Sequence, residues 1–502
     1  MKKSKKGLGI VASSLLALSL AAIPVNTMDT AYANAEAKKY LIAYNQSSLP
    51  SGYQTAIKNA GGTVLSAMPE IGGVEVSSSD PAFLDKLGKN SNVSAVNVEK
   101  TYKLDNVDPA GADGQRVDVT PDEDGTYWSQ QWDMQKLTHN KDSYKIETGG
   151  AKVNGNVNHK AVVGIIDSGI DADHPDLKAN FAGGRNYVPA GGYYGNVPSE
   201  TGGESNVKDT NGHGTHVAGS IAGNGKIKGV GPNLGVRAYR IFDASGSAPT
   251  APIVDAIVDA ANDKVDVINM SIGGFDNLKY YFDGTRYTDI ADVLLWKRAV
   301  NYAVKHNVTV VASAGNESLN YGDKKSLTDY MNEAYAVPGL VYKGVAIETP
   351  GGTPGVITVS SSNKWSTDGL AFYSNYGNSF IDVSAPGGDN GPLYDSLYRN
   401  DPAGNYLNKR DFTYRTLSTW PTYLDRYATM VDNKGYAYLH GTSMASPKVA
   451  GIAGVIKAQH PEYSPSQVKA AIKQTALDYG KKGQDALFGF GDANAYTALS
   501  KK

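Results

Sequence analysis

The 502-residue chain contains no cysteine. Disulfides, a thiolate nucleophile and any cysteine-ligated metal are therefore excluded. An excess of charge is missing as well: 48 Lys and Arg face 50 Asp and Glu, a formal net charge of −2. Such a balance gives no sign of a nucleic-acid partner or an anionic membrane surface. Long apolar runs are absent except at the N-terminus, where Lys2, Lys3, Lys5 and Lys6 precede a stretch from Leu8 to Val25. Ala31-Tyr-Ala33 and Ala33-Asn-Ala35 then offer small-residue cleavage sites. This is the layout of a secretory signal peptide over residues 1–35. A transmembrane anchor is the alternative for a stretch of this length, but Pro24, the interrupting Ser residues and the cleavage sites favour the signal. Leu499-Ser-Lys-Lys502 carries no wall-sorting or membrane-anchoring pattern. A secreted, extracellular monomer without stable membrane association is expected.

What is present points to a chain of more than one unit, since 502 residues exceed one typical domain. Residues 36–104 read as a small α+β unit. Tyr40-Leu-Ile-Ala-Tyr44 is strand-like, Gly52 to Ala60 helical with Gly61-Gly62 as its stop, and Thr63 to Ser78 a hairpin around Gly72-Gly73. Pro81 to Leu87 is a second helix and Val93 to Val98 a closing strand. The β-α-β-β-α-β order matches the ferredoxin-like pattern. A unit this small without disulfides is marginal alone and needs a partner surface. Residues 105–126 change composition, rich in Asp, Gly and Pro and poor in apolar side chains, and read as an exposed, easily cleaved linker.

The main unit spans 127–502. Apolar strand-like runs at 161–166, 236–242, 265–270 and 308–313 alternate with helical patterns at 213–221, 253–262, 291–305 and 443–459. That alternation predicts a mostly parallel sheet covered on both faces. Functional groups in such sheets gather at strand C-terminal ends and adjoining helix N-termini.

Three segments place chemistry at such points. Asp167 follows the run Val163-Gly-Ile-Ile, and by itself could cap a turn. His213 sits in Asn211-Gly-His-Gly-Thr-His216, between glycines that permit close backbone approach. The His213/His216 spacing invites zinc, but no acidic partner accompanies it, so His213 reads as a base and His216 as a packed structural histidine. Ser443 lies in Gly441-Thr-Ser-Met-Ala-Ser-Pro447, at the start of a helical run whose end favours negative charge. Alone it could be an N-cap. A serine hydroxyl needs an adjacent base, and the base an orienting group; the three segments together supply all of them. Asn316 in Ala314-Gly-Asn316 ends another strand and could donate to an oxyanion. Ser271-Ile272-Gly273-Gly274 has little side-chain bulk and could pair with an extended peptide.

These motifs, in the order Asp, His, Ser, resemble those of the subtilisin-like serine proteases, from about Tyr127 to the C-terminus. The resemblance implies a three-layer domain on a seven-stranded parallel sheet. Asp167, His213 and Ser443 would be its triad, Asn316 its oxyanion donor, and 271–274 with Ala314 and Gly315 its peptide-binding walls. It also implies that residues 36–104 are an inhibitory prosegment, removed by cleavage in the linker. Phe372-Tyr-Ser-Asn-Tyr-Gly377 and Ile381-Asp-Val-Ser-Ala-Pro-Gly-Gly388 are similar to the branch containing lantibiotic leader peptidases. Segments 275–290, 317–350 and 389–438 exceed the short bacterial members and read as surface loops. Asp176 matches a family calcium ligand, but the loop Asn224 to Gly229 is shortened, so no metal ligands are assigned. No cofactor is expected for the chemistry; Ca²⁺ could bind other Asp-rich loops as a structural ion. The expected function is a secreted serine endopeptidase made as a zymogen. A dedicated leader-peptide maturation protease and a catalytically silent binding protein are the alternatives.

Overall fold

The computed structural model describes residues 37–104, 119–153, 156–401, 406–424, 430–431 and 435–501. The expected signal peptide at 1–35 and most of the 105–126 linker lie outside the described residues.

The N-terminal unit consists of β1 (Lys38–Tyr44), α1 (Tyr53–Asn59), β2 (Thr63–Met68), β3 (Gly73–Ser78), α2 (Phe83–Gly88) and β4 (Val93–Val98). Its four strands pair antiparallel in the order β2-β3-β1-β4. Alternate residues of a strand face opposite sides, and here both sides are apolar. Tyr40, Ile42 and Tyr44 pack with Ile57, Phe83 and Leu87 of the unit's own helices. Leu41 and Ala43 turn the other way, into a core shared with the main unit. The sheet therefore has one face it cannot cover itself. Arg298 of the main unit closes the junction by donating to the carbonyls of Tyr44 (2.6 Å), Ile71 (3.0 Å) and Gln46 (3.2 Å). After β4 the chain forms one more strand, β5 (Thr101–Lys103).

The main unit follows with β6 (Val162–Asp167), β7 (Phe181–Asn186), α3 (His213–Ala222), β8 (Gly235–Arg240), β9 (Ser247–Pro249) and α4 (Thr250–Asn262). Then come β10 (Val267–Met270), α5 (Ile290–Lys305), β11 (Thr309–Ser313), β12 (Val356–Ser362), β13 (Val383–Pro386) and α6 (Thr442–Gln459). Seven strands form one sheet in the order β13-β12-β11-β10-β6-β8-β7, every neighbouring pair parallel. Val163, Ile165, Val267, Val311 and Val359 bury one face against α3 and α6. Ile166, Ile268, Met270, Val310 and Ala312 bury the other against α4 and α5. This is the expected three-layer α/β architecture. β10 and β11 start slightly later than the apolar runs at 265 and 308, because Lys264 (φ 60°) and Asn307 (φ 65°) turn the chain after the preceding helices.

The long segments are not simple surface loops. Strand pairs Gly274–Asn277 with Ala346–Thr349, and Tyr280–Phe282 with Leu340–Tyr342, tie the first two together. They share a core of Phe275, Tyr280, Tyr321, Leu327, Met331 and Tyr342. In the third, Thr416–Thr419 pairs with Tyr436–Leu439, and Trp420 and Leu439 join the core beneath α3. Their tyrosine content, read from sequence as surface, supplies much of this packing.

Candidate active site

Parallel strands deliver their C-terminal ends to one edge of the sheet. Asp167 is the last residue of β6, Ser271 follows β10, and Asn316 lies just past β11. Helices α3 and α6 begin at the same edge with His213 and Thr442-Ser443.

His213 Nδ1–H donates to the Asp167 carboxylate, 2.8 Å from Oδ1 and 3.0 Å from Oδ2. Asp167 is fully buried and His213 only 4% exposed. The flanking glycines have separate reasons to be glycine. Gly212 adopts φ 105°, and a Cβ there would strike the Trp420 ring at 2.1 Å. A Cβ on Gly214 would lie 2.1 Å from the Gly169 carbonyl and 3.2 Å from Asp167 Oδ1. His216 is buried, its Nε2 facing the Ala437 carbonyl at 3.1 Å. Burial, with the nearby Lys448, lowers its pKa to about 3, so it is a neutral packed residue as expected.

Ser443 owes its setting to a proline four residues on. Pro447 lies inside α6, and lacking an N–H it cannot donate to the carbonyl of Ser443 as a helical residue would. That carbonyl instead accepts Ser271 Oγ–H at 2.8 Å, while Ser443 Oγ donates to the Ser271 carbonyl at 3.1 Å. Asn316 is oriented from the same helix end: its Oδ1 accepts both the backbone N–H and the hydroxyl of Thr442, each at 2.9 Å. With the oxygen so engaged, the amide NH₂ is turned away from Thr442.

Ser271, Ile272, Gly273, Gly315, Asn316 and Ser443 line one cleft. Gly274 begins the strand paired with Ala346–Thr349 and lies against the Tyr102 ring, and Ala314 is buried with its N–H on the Val359 carbonyl. Lys103 and Leu104 of the N-terminal unit line the same cleft. β5 runs antiparallel to β9, Tyr102 opposite Ala248, and the Leu104 N–H continues the ladder to the Gly246 carbonyl at 2.8 Å. The stretch 271–273 lines the same cleft.

Three residues that hold the site were missed from sequence. Asp209 is buried; it accepts the Ser168 hydroxyl, the backbone N–H groups of Asn211, Gly212 and Thr215, and the Thr215 hydroxyl. Burial raises its pKa and these donors oppose the rise. The only sequence signal was the turn-forming Asp-Thr-Asn-Gly before His213. Asn375 fixes the turn carrying Asn316, donating to the Ala314 carbonyl at 3.0 Å and accepting from Leu319 N–H at 2.8 Å. Behind Gly273 lies Glu348, 2% exposed, with Oε2 accepting the Gly352 N–H and Oε1 without a hydrogen-bond partner among the described residues. Burial drives its pKa well above the usual carboxylate range.

Asp176 accepts the Ile227 N–H at 2.8 Å. Among the described residues no group of three or more His, Asp or Glu side chains is placed to hold a metal ion. No helix of the described residues is long and apolar enough to cross a membrane.

The profile of the Subtilase family matches residues 158–491. The chain is 34% identical over 349 residues to the nisin leader peptide-processing serine protease NisP of Lactococcus lactis subsp. lactis, covering 68% of this chain and 46% of that protein. The chain thus spans about half the length of that relative. It is 29% identical over 483 residues to the epidermin leader peptide-processing serine protease EpiP of Staphylococcus epidermidis, covering 93% of this chain and 94% of that one. The crystal structure of EpiP from Staphylococcus aureus superposes with a TM-score of 0.72 at 27% identity, covering 93% of this chain and 99% of that chain.

Proposed function

The chain belongs to the subtilase family of serine peptidases, and from that premise we propose that it is a secreted endopeptidase, made as a zymogen, that removes leader peptides of the lantibiotic kind. Ser443 Oγ attacks the scissile carbonyl while His213 Nε2 takes its proton. The C–N bond breaks as His213 passes that proton to the leaving amine, leaving an acyl-enzyme. Water then repeats the sequence on the ester and restores Ser443. Asp167, bound to Nδ1, holds the tautomer that leaves Nε2 free to accept. The Asn316 amide and the Ser443 backbone N–H stabilise the oxyanion, helped by the N-terminus of α6.

The observation that carries the peptidase reading is the assembly of Asp167, His213, Asn316 and Ser443 on one sheet edge, with a segment of the chain itself laid into the cleft beside them. That segment, β5 and Leu104, makes residues 36–104 an inhibitory prosegment that occupies the substrate path by strand addition. The leader-peptidase reading is favoured over a general secreted protease by extent: similarity to EpiP runs through the N-terminal unit and the long segments, over 93% of the chain. Similarity to subtilisin E covers 63%.

The test compares wild type with Ser443→Ala. The wild type should release residues 36–104 by a cut within 105–126 and then cleave a lanthionine-peptide precursor once, between leader and core. Ser443→Ala should stay full length after signal removal, a loss on the order of 10⁶ in turnover. Self-processing by the mutant would refute the role of Ser443. Equal digestion of casein and precursor by the wild type would refute the dedicated reading while leaving the endopeptidase intact.

A further inference from the structure

The segment lying in the cleft is also a record of what the cleft binds. Along β5 the side chains alternate in their surroundings. Tyr102 is 2% exposed, whereas Lys103 is exposed and Leu104 buried again. The Tyr102 ring lies against Gly274, where a Cβ would come within 2.8 Å of it, and meets Trp296 edge-on at 5.6 Å between centroids. Its hydroxyl is fully committed. Trp296 Nε1–H donates to it at 2.9 Å, and Thr349 Oγ1 stands 2.7 Å away. The Thr349 hydroxyl in turn donates to Asp276 Oδ2 at 2.7 Å, so the phenol proton goes to Thr349 and the chain of bonds ends on Asp276.

Asp276 is fully buried, and Asp289, Asp292 and Glu348, all at most 6% exposed, surround it. The cation that meets this group comes from the N-terminal unit. Lys100 Nζ lies 3.5 Å from Asp276 Oδ1, donates to the Phe275 carbonyl, and sits 5.2 Å from the Tyr102 ring centroid. Trp296, Thr349, Asp276, Gly274 and Phe275 all belong to the main unit. When the N-terminal unit leaves, the Trp296 indole N–H loses its acceptor, the Thr349 hydroxyl loses the phenol donor while keeping its bond to Asp276, and the buried Asp276 carboxylate loses its Lys100 cation. Buried polar groups left unpaired are costly, and a site of that kind discriminates strongly for the group that restores them.

We propose that the Trp296–Thr349–Asp276 pocket is a substrate subsite for a Lys-x-Tyr pair, which Lys100 and Tyr102 occupy in the zymogen. This rests on the peptidase reading above. The enzyme would then act on peptides carrying a cationic side chain two residues before a tyrosine, on the amino-terminal side of the scissile bond. An apolar pocket alone would take phenylalanine as well as tyrosine; the three polar groups at its end make the hydroxyl matter.

The experiment uses the self-processed full chain and a peptide library in which Lys or Ala is combined with Tyr, Phe or Ala at every i, i+2 pair before the cut. Products are sequenced, and kcat/KM is measured for the selected peptides. The expected result is one register in which Tyr exceeds Phe by about 10- to 100-fold and Lys exceeds Ala by about 10-fold. Thr349→Val and Trp296→Phe should each bring the Tyr-to-Phe ratio down to within about 3-fold, and Asp276→Asn should lower the Lys-to-Ala ratio. A wild-type Tyr-to-Phe ratio within twofold in every register overturns the proposal, whatever the variants do. So does a ratio that survives in folded Thr349→Val and Trp296→Phe. Absence of any Ser443-dependent cleavage would instead refute the peptidase reading itself.

Discussion

Consider Asn316 replaced by Ala. Its oxygen takes both donors of Thr442, and in the proposed mechanism its NH₂ is the donor to the charge that develops on the substrate carbonyl. Removing it deletes one oxyanion donor, an effect of about 2.7–4 kcal/mol, or a 10²–10³-fold loss in kcat. KM should hardly move, because that donor acts only in the transition state. The structure adds a graded control. Thr442→Val is close to isosteric and deletes the hydroxyl donor to Oδ1 while keeping the backbone donor at 2.9 Å. One buried neutral hydrogen bond is worth about 1 kcal/mol, so if it serves to aim the amide, kcat should fall by roughly 3- to 10-fold, again without a rise in KM. Steady-state kinetics on a leader-containing peptide, with active sites titrated by a serine-directed inhibitor, separates the two parameters. Two results would refute the reasoning. One is a rise in KM at constant kcat in Asn316→Ala, which would make Asn316 a ground-state contact. The other is an equal loss in both variants, which would mean that Thr442 acts through the fold of α6 rather than through the amide.

Two further outcomes follow from the junction with the N-terminal unit. Arg298→Ala leaves three carbonyls of that unit without their shared donor, and charged hydrogen bonds are worth about 1.5–3 kcal/mol; after self-processing the cleaved unit should dissociate at least 10-fold faster, read by size-exclusion chromatography, and undiminished retention would show the contact to be idle. The same junction should weaken as pH rises. Burial, reinforced by Asp276, pushes Asp289 to about 7 and Asp292 to about 8, both above the 3.8 of a free carboxyl. The folded chain therefore holds protons that the unfolded chain releases between pH about 4 and about 8, and stability falls across that window. The thermal midpoint of the Ser443→Ala chain should be lower at pH 8.5 than at pH 5.5, with the difference reduced in Asp292→Asn; a midpoint that rises over this range would contradict the assignment.

Much of this molecule could be read from its sequence because its signals are local. The apolar run ending in Asp167, the helical run beginning at Ser443 and the strand-end Asn316 each lie within a few residues of the element that positions them. The glycines around His213 likewise declare a steric need whose origin, Trp420 and Gly169, only the fold reveals. Asp209 and Asn375 could not be found that way. Asn375 acts through hydrogen bonds to backbone more than fifty residues away, and Asp209 joins its own turn to the Ser168 hydroxyl 41 residues back; such bonds leave no periodicity. The pairing of β5 with Ser247–Pro249 was missed because β9 has only three residues and ends in proline, too short a pattern to read as a strand. The tyrosines of the long segments misled for a physical reason: an aromatic with a polar tip suits a surface and a small satellite core equally well.

Pro447 has a consequence for how the reactive serine keeps its place. In an uninterrupted helix the Ser443 carbonyl would be tied to its own next turn, and any loosening of that turn would carry the residue along. Here the tie runs sideways, to Ser271 at the end of the neighbouring β10, and it runs both ways. The position of Ser443 is therefore referenced to the end of a strand of the central sheet rather than to the next turn of its own helix. The same two residues also join the nucleophile to the wall of the cleft, so that the attacking atom and the surface that aligns its target share one frame.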